Sequence, residues 1–263
     1  MTAPASAPRT GTLYLVPAPL DFGCEQQTPL EEALPAGTLQ QAARLSHWIC
    51  ENAKSTRAYL KRIEALHPLA APLQQQQITE LPREVHKKGD HDPQGASPFD
   101  ARPLLAAALA GQDIGLVSEA GMPAVADPGS SVVRAAHDLG LTVVPLVGPV
   151  SLLLALAASG LNGQNFAFTG YLPQDAQERV QRIRELESTA LKTGQTQIFI
   201  ETPYRNAALW QALVQTLQPQ TRLALASGLT LADARIQSRA VRLWRQEPGV
   251  PDKRTPVVFA LGR

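Results

Sequence analysis

The chain has 263 residues, of which 44% are hydrophobic and 18% charged, so it can bury the core of one large or two ordinary domains. Lysine and arginine (24) nearly balance aspartate and glutamate (23), and the net charge of +1 excludes a strong overall field for nucleic acid or a membrane surface. The two cysteines, Cys24 and Cys50, have neither a metal-binding spacing nor a disulfide framework, which is typical of a reducing cytoplasm.

The N-terminal residues 1–10 are predicted to form a flexible tail, since they lack the apolar core of a signal peptide. The longest apolar run, Val150–Ala158, is far shorter than the roughly 20 residues that span a bilayer. We therefore expect no membrane segment and a cytoplasmic location.

The first half of the chain alternates strand and helix patterns up to a proline-rich stretch. A strand over Leu13–Val16 runs into Pro17, and a second strand over Trp48–Cys50 ends at Glu51 and Asn52. The apolar spacing then predicts a helix over Lys54–Leu66. The stretch Leu81–Pro103 is expected to be a long mobile loop, because prolines and glycines recur in it among charged residues (Pro82, Gly89, Pro93, Gly95, Pro98 and Pro103). A short helix follows over Leu104–Ala110.

The segment Ile114–Gly148 is the most informative part of the sequence. An apolar strand ends at Ser118, a helix covers Val132–Leu139, and Gly140 precedes a second strand over Thr142–Leu146. This order predicts a right-handed crossover in a parallel sheet. Ligands bind such sheets at the carboxyl ends of the strands, where the SEAGMP and VGP loops lie.

The second half repeats the alternation, so both halves are predicted to be α/β. The predicted helices are Val150–Ser159, Asp175–Thr193 and Asn206–Leu217; the predicted strands are Phe166–Thr169, Thr196–Ile200, Leu223–Ala226, Ile236–Val241 and Pro256–Leu261. We place the domain boundary at Gly148–Pro149, which divides the chain into a tail (1–10), an N-terminal domain (11–148) and a C-terminal domain (149–263).

Four loops at strand ends can contact a ligand, but each also has a purely structural interpretation. VPAPL at 16–20 can be plain strand termination by proline, and SEAGMP at 118–123 can be a solvated turn. The Val147–Ser151 loop can be an interdomain hinge or can offer helix N–H groups to a polar ligand. In IFIETPYR, Glu201 can bind an amine, whereas Arg205 can bind phosphate or pair with a neighbouring acid.

Two further patterns are better explained without a ligand. His86, Asp90, His91 and Asp92 lie in the proline-rich loop without a tight metal motif, so no metal site is predicted. The basic residues of 175–193 alternate with glutamates, which is typical of an exposed helix face.

Taken in order, the loops resemble the tetrapyrrole methylase family, in particular the branch that contains the small-subunit ribosomal RNA cytidine 2′-O-methyltransferases. The matching runs are GTLYLVPAPL, LVSEAGMPAVADPGSSVVRAA, VVPLVGPVSLLLALAASGL, FAFTGYLP and IFIETPYR, which extend from Gly11 to about Gly262. The resemblance implies two α/β domains with a cofactor cleft between them. It also implies S-adenosyl-L-methionine as cofactor, S-adenosyl-L-homocysteine as product, and a homodimer.

The resemblance assigns cofactor binding to residues of the loops and of the strand ends near them. They are Pro17, Pro19, Ser118, Glu119, Ala120, Gly121, Pro123, Val125, Gly148, Pro149, Ser151, Leu152, Tyr171, Leu172, Glu201, Thr202, Pro203 and Ala226. The acceptor-side candidates are Glu51, Asn52 and Arg57, where the ribosomal enzymes carry a Glu-Asp-Thr-Arg motif.

Departures from the family pattern leave three functions open. Pro19-Leu20-Asp21 replaces a Gly-Asn-Leu continuation, Ala53, Lys54 and Ser55 separate Asn52 from Thr56-Arg57, and Glu119-Ala120-Gly121-Met122-Pro123 replaces Asp-Ala-Gly-Thr-Pro. The first hypothesis is a methyltransferase that acts on RNA by 2′-O-methylation, with a role in rRNA processing, or on a related hydroxyl or amine acceptor. The others are a tetrapyrrole (uroporphyrinogen- or precorrin-like) C-methyltransferase and a cofactor-binding protein without catalysis. No general base is identified from the sequence.

Overall fold

The computed structural model describes residues 9–21, 23–82, 85, 99–247, 249, 251 and 253–263. The chain divides into two compact units. The N-terminal unit comprises Met1–Phe22 and Pro29–Pro149, and the C-terminal unit comprises Gly23–Thr28 and Val150–Arg263. Most of the predicted loop Leu81–Pro103 lies outside the described residues, as do His86, Asp90, His91 and Asp92. No helix within the described ranges is long and apolar enough to cross a membrane.

The N-terminal unit is a parallel sheet covered by helices. Its strands are β1 (Thr12–Val16), β2 (His47–Cys50), β3 (Gln77–Glu80), β4 (Ile114–Val117) and β5 (Thr142–Pro145). Its helices are α1 (Leu30–Ala33), α2 (Ala36–Ala43), α3 (Ala53–Glu64), α4 (Ala106–Leu109) and α5 (Ser130–Asp138), with 3-10 turns at Leu73–Gln75 and Arg102–Leu105. The strand order is β3-β2-β4-β1-β5, and every pair is parallel.

The strand–helix–strand prediction for Ile114–Gly148 is confirmed, with one refinement. β4 and β5 do not pair with each other, because β1 lies between them and pairs with both. The crossover through α5 therefore passes over one strand. The predicted helix at Leu104–Ala110 is wrong in part, since Arg102–Leu105 is a 3-10 turn with a proline near its start and only Ala106–Leu109 is α-helical.

Strand β4 contains a glycine, Gly115, because the side chain of Trp48 fills the space beside it. All four of its residues are buried, as expected for a strand covered on both faces. A Cβ at Gly115 would lie 2.6 Å from two ring carbons of Trp48. Trp48 is 1% exposed, and its indole N–H donates to Gln76 Oε1 at 2.9 Å. The indole therefore occupies the volume that any other side chain at position 115 would need.

The C-terminal unit has a mixed sheet. Its strands are β6 (Phe166–Tyr171), β7 (Thr196–Glu201), β8 (Arg222–Ser227), β9 (Arg235–Ala240) and β10 (Val257–Gly262), in the order β6-β7-β10-β8-β9. Its helices are α6 (Ser151–Ser159), α7 (Ala176–Thr193), α8 (Asn206–Thr216) and α9 (Val241–Gln246), with a 3-10 turn at Pro203–Arg205. The α/β prediction is confirmed in both units.

The core of the C-terminal unit is aromatic. Phe199 of β7 stacks on Phe259 of β10 with ring centroids 5.9 Å apart, and Trp210 meets Trp244 edge-on at 4.8 Å. The predicted strand Ile236–Val241 ends at Ala240 instead, because Val241 begins α9, which buries Val241 and Trp244 in this core.

Strand direction decides which loops meet. All five strands of the N-terminal unit are parallel, so their carboxyl ends lie along one edge of that sheet. In the C-terminal unit β6 is parallel to β7, and β7 and β8 are both antiparallel to β10. The carboxyl ends of β6, β7 and β8 therefore share one edge of the second sheet.

Candidate functional site

The loops after β1 and β4 are joined by main-chain hydrogen bonds. Ala18 N–H donates to the Gly121 carbonyl at 2.9 Å, and Gly121 N–H donates to the Ala18 carbonyl at 3.0 Å. Because this bridge lies beyond the paired strands, it connects VPAPL with SEAGMP at the sheet edge. The structure thus brings together Pro17, Pro19 and the candidates at 118–123.

The loop after β4 holds several residues in the left-handed region. Gly121 has φ +73° and Gly129 φ +130°, while Ala124 and Ala126, which carry a Cβ, have φ +64° and +65°. Left-handed backbone is unfavourable for alanine by about 1–2 kcal/mol per residue. Such strain concentrates at functional sites, where the surrounding fold maintains it. Val125 lies between the two alanines and is 41% exposed.

The loop after β5 packs directly on the loop after β1. An added Cβ at Gly148 would lie 2.3 Å from Pro17 Cγ, so only glycine fits there. Tyr59 Oη donates to the Pro17 carbonyl at 2.8 Å, and Thr38 Oγ1 donates to the Val147 carbonyl at 2.7 Å. Two buried side chains therefore fix the main chain of both loops.

Three carboxylates interact at the same edge. Glu51 follows β2, Glu119 follows β4, and Asp127 lies in the turn before α5. Glu51 accepts from Glu119 N–H at 3.3 Å, and Glu119 accepts from Ser55 Oγ at 3.0 Å. Burial, together with the charges of Glu51 and Glu119, raises the pKa of Asp127 to about 7. Asp127 is therefore partly protonated at neutral pH.

The raised pKa of Asp127 predicts a pH-dependent stability of the ligand-free protein. A carboxyl group whose pKa is higher in the folded than in the unfolded chain costs stability increasingly as pH rises from about 4 to about 7, and the cost is constant above that. Asp127→Asn removes the charge, so we expect its Tm to exceed that of the wild type above pH 7 and to approach it at pH 4. Thermal melts across this pH range measure the difference, and a pH-independent difference would contradict the prediction.

Acceptor-side candidates lie at the start of α3. Asn52 caps the helix, since its side-chain oxygen accepts from Lys54 N–H at 2.9 Å and from Ser55 N–H at 3.2 Å. Residues 53–55 therefore form the first helical turn and not an inserted loop. If the Glu-Asp-Thr-Arg motif of the ribosomal enzymes is aligned with this sequence from Glu51 without a gap, the arginine of the motif corresponds to Lys54. Arg57 lies one turn further on, exposed.

In the C-terminal unit, the IFIETPYR loop forms a compact ionic cluster. Glu201 is 8% exposed, and its Oε1 accepts from Arg205 Nε at 2.9 Å and from Thr202 N–H at 2.7 Å. The side chain of Arg205 also stacks over Tyr204, with its guanidinium 5.3 Å from the ring centroid. Of the interpretations of Arg205 open from the sequence, the structure supports pairing with a neighbouring acid.

The remaining C-terminal candidates lie at strand or helix ends of that unit. Tyr171, which is 57% exposed, ends β6, and the buried Leu172 follows it. Ala226 is the second-last residue of strand β8 and pairs with Val258 of β10. Ser151 begins α6, whose N-cap residue, Val150, provides no side-chain hydrogen bond to the helix, and Leu152 is buried.

A cavity of about 520 Å³ lies within the C-terminal unit, and no sequence pattern indicated it. It is lined by Gly23, Cys24, Glu25, Gln26, Leu231, Asp233, Lys253, Arg254 and Thr255. Its loops come from distant parts of the chain, and Arg254 pairs with Glu25. Among the residues that the structure describes, no group of histidine, cysteine, aspartate and glutamate side chains could hold a metal ion.

Comparison with known proteins gives consistent matches. The family model "Tetrapyrrole (Corrin/Porphyrin) Methylases" matches residues 37–242. A protein of Mesorhizobium japonicum named ribosomal RNA small subunit methyltransferase I is 41% identical over 132 residues, which cover 50% of this chain and 44% of that protein. The protein of the same name from Vibrio cholerae is 36% identical over 137 residues, covering 52% and 46%. The chain spans about half the length of the curated relatives it matches.

Solved structures share the fold. The crystal structure of diphthine synthase superposes with a TM-score of 0.58 at 13% identity, covering 96% of this chain and 90% of that one. At this level of identity the likeness concerns the fold alone, and it agrees with two α/β units.

Proposed function

This chain belongs to the tetrapyrrole methylase family, and from that premise we propose that it is an S-adenosyl-L-methionine-dependent methyltransferase that acts on RNA, at a ribose 2′-hydroxyl. The observation that carries the proposal is the arrangement of three loops at the carboxyl edge of the parallel sheet. Pro17, Gly121 and Gly148 lie in these loops, and each loop is fixed by main-chain or buried side-chain hydrogen bonds. Ligands of open α/β sheets bind at this edge.

The residues of the N-terminal unit fit the proposed cofactor. Ser118 Oγ is buried and has no hydrogen-bond partner among the described residues, so it is available to a ligand. The Glu119 carboxylate can accept from ribose hydroxyls or an ammonium group. Glycine at 121 and 148 lets the loops after β1, β4 and β5 pack closely at the edge of the sheet where the cofactor is proposed to bind. Ala120, Pro123, Val125 and Pro149 complete this part of the proposed site. The family resemblance also predicts cofactor contacts in the C-terminal unit, at Ser151, Leu152, Tyr171, Leu172, Glu201, Thr202, Pro203 and Ala226.

Asp127 is our candidate for the group that holds the proton released by the acceptor hydroxyl. When bound, S-adenosyl-L-methionine supplies an electrophilic methyl group, and S-adenosyl-L-homocysteine is the product. A base works best when its pKa lies near the operating pH, and the pKa of Asp127 is raised to about 7 by burial and by the neighbouring carboxylates. Ionised Asp127 takes the proton, and the charges of Glu51 and Glu119 favour the protonated form that results.

RNA is proposed as the acceptor because the curated relatives carry ribosomal RNA in their names. Carbon methylation of a tetrapyrrole is the second candidate, supported by the description of the family model. A protein that binds the cofactor without transferring its methyl group is the third.

Two measurements separate these candidates. Calorimetric titration with S-adenosyl-L-methionine is expected to give one site per chain, and no heat and no thermal shift at millimolar ligand would reject the cofactor. Transfer of a tritiated methyl group is then measured on total RNA and on uroporphyrinogen III, and we expect label in RNA only. Label in the tetrapyrrole alone would favour the second candidate, and binding without transfer to either would favour the third.

We further propose a cytoplasmic homodimer. Neither Cys24 nor Cys50 forms a disulfide. In the C-terminal unit, Phe166 and Phe168 of the edge strand β6 are 42% and 37% exposed, and Leu153 and Leu154 of α6 are 49% and 39% exposed. Exposed large apolar side chains on an edge strand favour association. Analytical ultracentrifugation of the purified chain tests this, and a monomer at micromolar concentration would contradict it.

A further inference from the structure

Helix α3 has two contrasting faces. Thr56, Tyr59, Leu60 and Ile63 are buried against the N-terminal unit. Lys54, Arg57 and Lys61 are exposed and lie at i, i+3 and i+7, so they follow one another along a single face of the helix. At a rise of 1.5 Å per residue, this basic face extends about 10 Å along the helix axis.

The three cations of the basic face are not used to stabilise the fold. None of them forms an ion pair with a residue that the structure describes, and Arg57 donates only a long hydrogen bond, 3.4 Å, to the Ala53 carbonyl within its own helix. Arg62 on the neighbouring side of α3 differs, because it donates to both carboxylate oxygens of Asp21 at 3.0 and 2.9 Å. Arg62 is structural, whereas Lys54, Arg57 and Lys61 have no structural role to explain their charge.

The basic face begins at the candidate site. Asn52, the N-cap of α3, directly follows Glu51, one of the three carboxylates at the edge of the sheet. Glu80 also lies at this end of the helix, where it accepts from Ala53 N–H. The acids are thus at the start of α3, and Arg57 and Lys61 lie one and two turns further along.

We propose that Lys54, Arg57 and Lys61 bind the phosphodiester backbone of a single RNA strand and so guide the acceptor nucleotide to the edge of the sheet. This inference rests on the proposed RNA methyltransferase function. The occupant is identified by its charge, because three unpaired cations form a row on a chain whose net charge is only +1, and such a row attracts a polyanion. Arginine contributes a two-pronged contact to phosphate, and the lysines contribute point charges.

A second basic helix provides the matched comparison. Helix α7 also carries three cations, Arg182, Arg184 and Lys192, but they do not follow one face, and Arg182 pairs with Glu185 at 3.2 Å, as expected for a solvated helix surface. Replacing either set of three with glutamine lowers the net charge equally. A difference between the two variants therefore reports the location of the charges and not their number.

The test is binding of fluorescein-labelled oligouridylate to the full chain at several salt concentrations. Each phosphate contact on a single strand contributes about 0.7 to the slope of log affinity against log salt, so the triple variant K54Q/R57Q/K61Q is expected to lower that slope by about 2. We expect its affinity at low salt to fall at least about tenfold, and that of R182Q/R184Q/K192Q to change less than about threefold. Circular dichroism and calorimetry with S-adenosyl-L-methionine show whether each variant is folded.

The outcomes separate this inference from the proposed function. Equal losses in the two triple variants, or no loss in either, would overturn the basic face as the RNA contact, even if the wild type methylates RNA. Failure of the wild type to bind oligouridylate or small-subunit ribosomal RNA would overturn it as well. If the wild type binds oligouridylate through the basic face but transfers no methyl group to any RNA, the inference holds and the proposed activity is wrong. Preferential binding to anionic vesicles would identify a lipid surface instead and reject RNA.

Discussion

Gly121→Val is expected to weaken binding of S-adenosyl-L-methionine at least about 100-fold, which corresponds to about 2.7 kcal/mol. Gly121 has φ +73°, a conformation that a β-branched residue adopts only under strain. A Cβ there would lie 3.2 Å from Leu20 Cδ2 and 3.6 Å from the Pro149 carbonyl oxygen. The substitution therefore moves the SEAGMP loop away from Ala18, to which Gly121 is joined by two hydrogen bonds.

Gly140→Val is the matched control for backbone strain. Gly140 has φ +69° and follows α5 in the same unit, but nothing lies within 4 Å of its added Cβ. Both variants are expected to lose about 1–2 kcal/mol of stability from backbone strain, because both force a branched residue into the left-handed region, and Gly121→Val should lose more since it also disturbs the bridge to Ala18. Only Gly121→Val should lose the cofactor in calorimetry. Equal affinities in the two variants would place the cofactor elsewhere.

Gly148→Ala is expected to destabilise the protein by about 1–3 kcal/mol and to weaken cofactor binding at the same time. The added methyl group would lie 2.3 Å from Pro17 Cγ, 2.5 Å from Pro17 Cβ and 3.0 Å from Leu34 Cδ2. A proline ring cannot rotate away, so the loops after β1 and β5 must separate. Chemical denaturation and calorimetry measure the two effects.

Gly37→Ala is the corresponding control for the loss of a glycine. Gly37 lies in α2, and its added Cβ has no neighbour within 4 Å. Alanine is favoured over glycine in a helix interior by about 1 kcal/mol, and Gly37 lies in the first turn, so this variant should be as stable as the wild type or slightly more stable. The same chemical change is therefore expected to act in opposite directions at positions 37 and 148. If Gly148→Ala had the stability and the cofactor affinity of the wild type, the prediction for position 148 would be wrong, and the two loops would tolerate separation.

Local sequence patterns were sufficient for much of the fold. β4, α5 and β5 were predicted from apolar runs and from the glycine after the helix, since these signals depend only on near neighbours in the chain. α3 was predicted over nearly its full length because its apolar residues recur at helical spacing. By contrast, β3 was missed: Gln77–Glu80 is an edge strand with little burial and no apolar alternation. α2 was also missed, since it begins after Pro35 and includes a glycine.

The sequence by itself determined the α/β class, the strand-end positions of the candidate loops and the family resemblance. Only the tertiary structure decided that β1 lies between β4 and β5, which brings Pro17, Gly121 and Gly148 together. It also decided the raised pKa of Asp127, because that value depends on burial and on the charge of Glu51, which follows β2, as well as on Glu119 of the same loop. Elements form from local periodicity, whereas a site depends on contacts between residues far apart in the chain, and those follow from packing of the whole sheet.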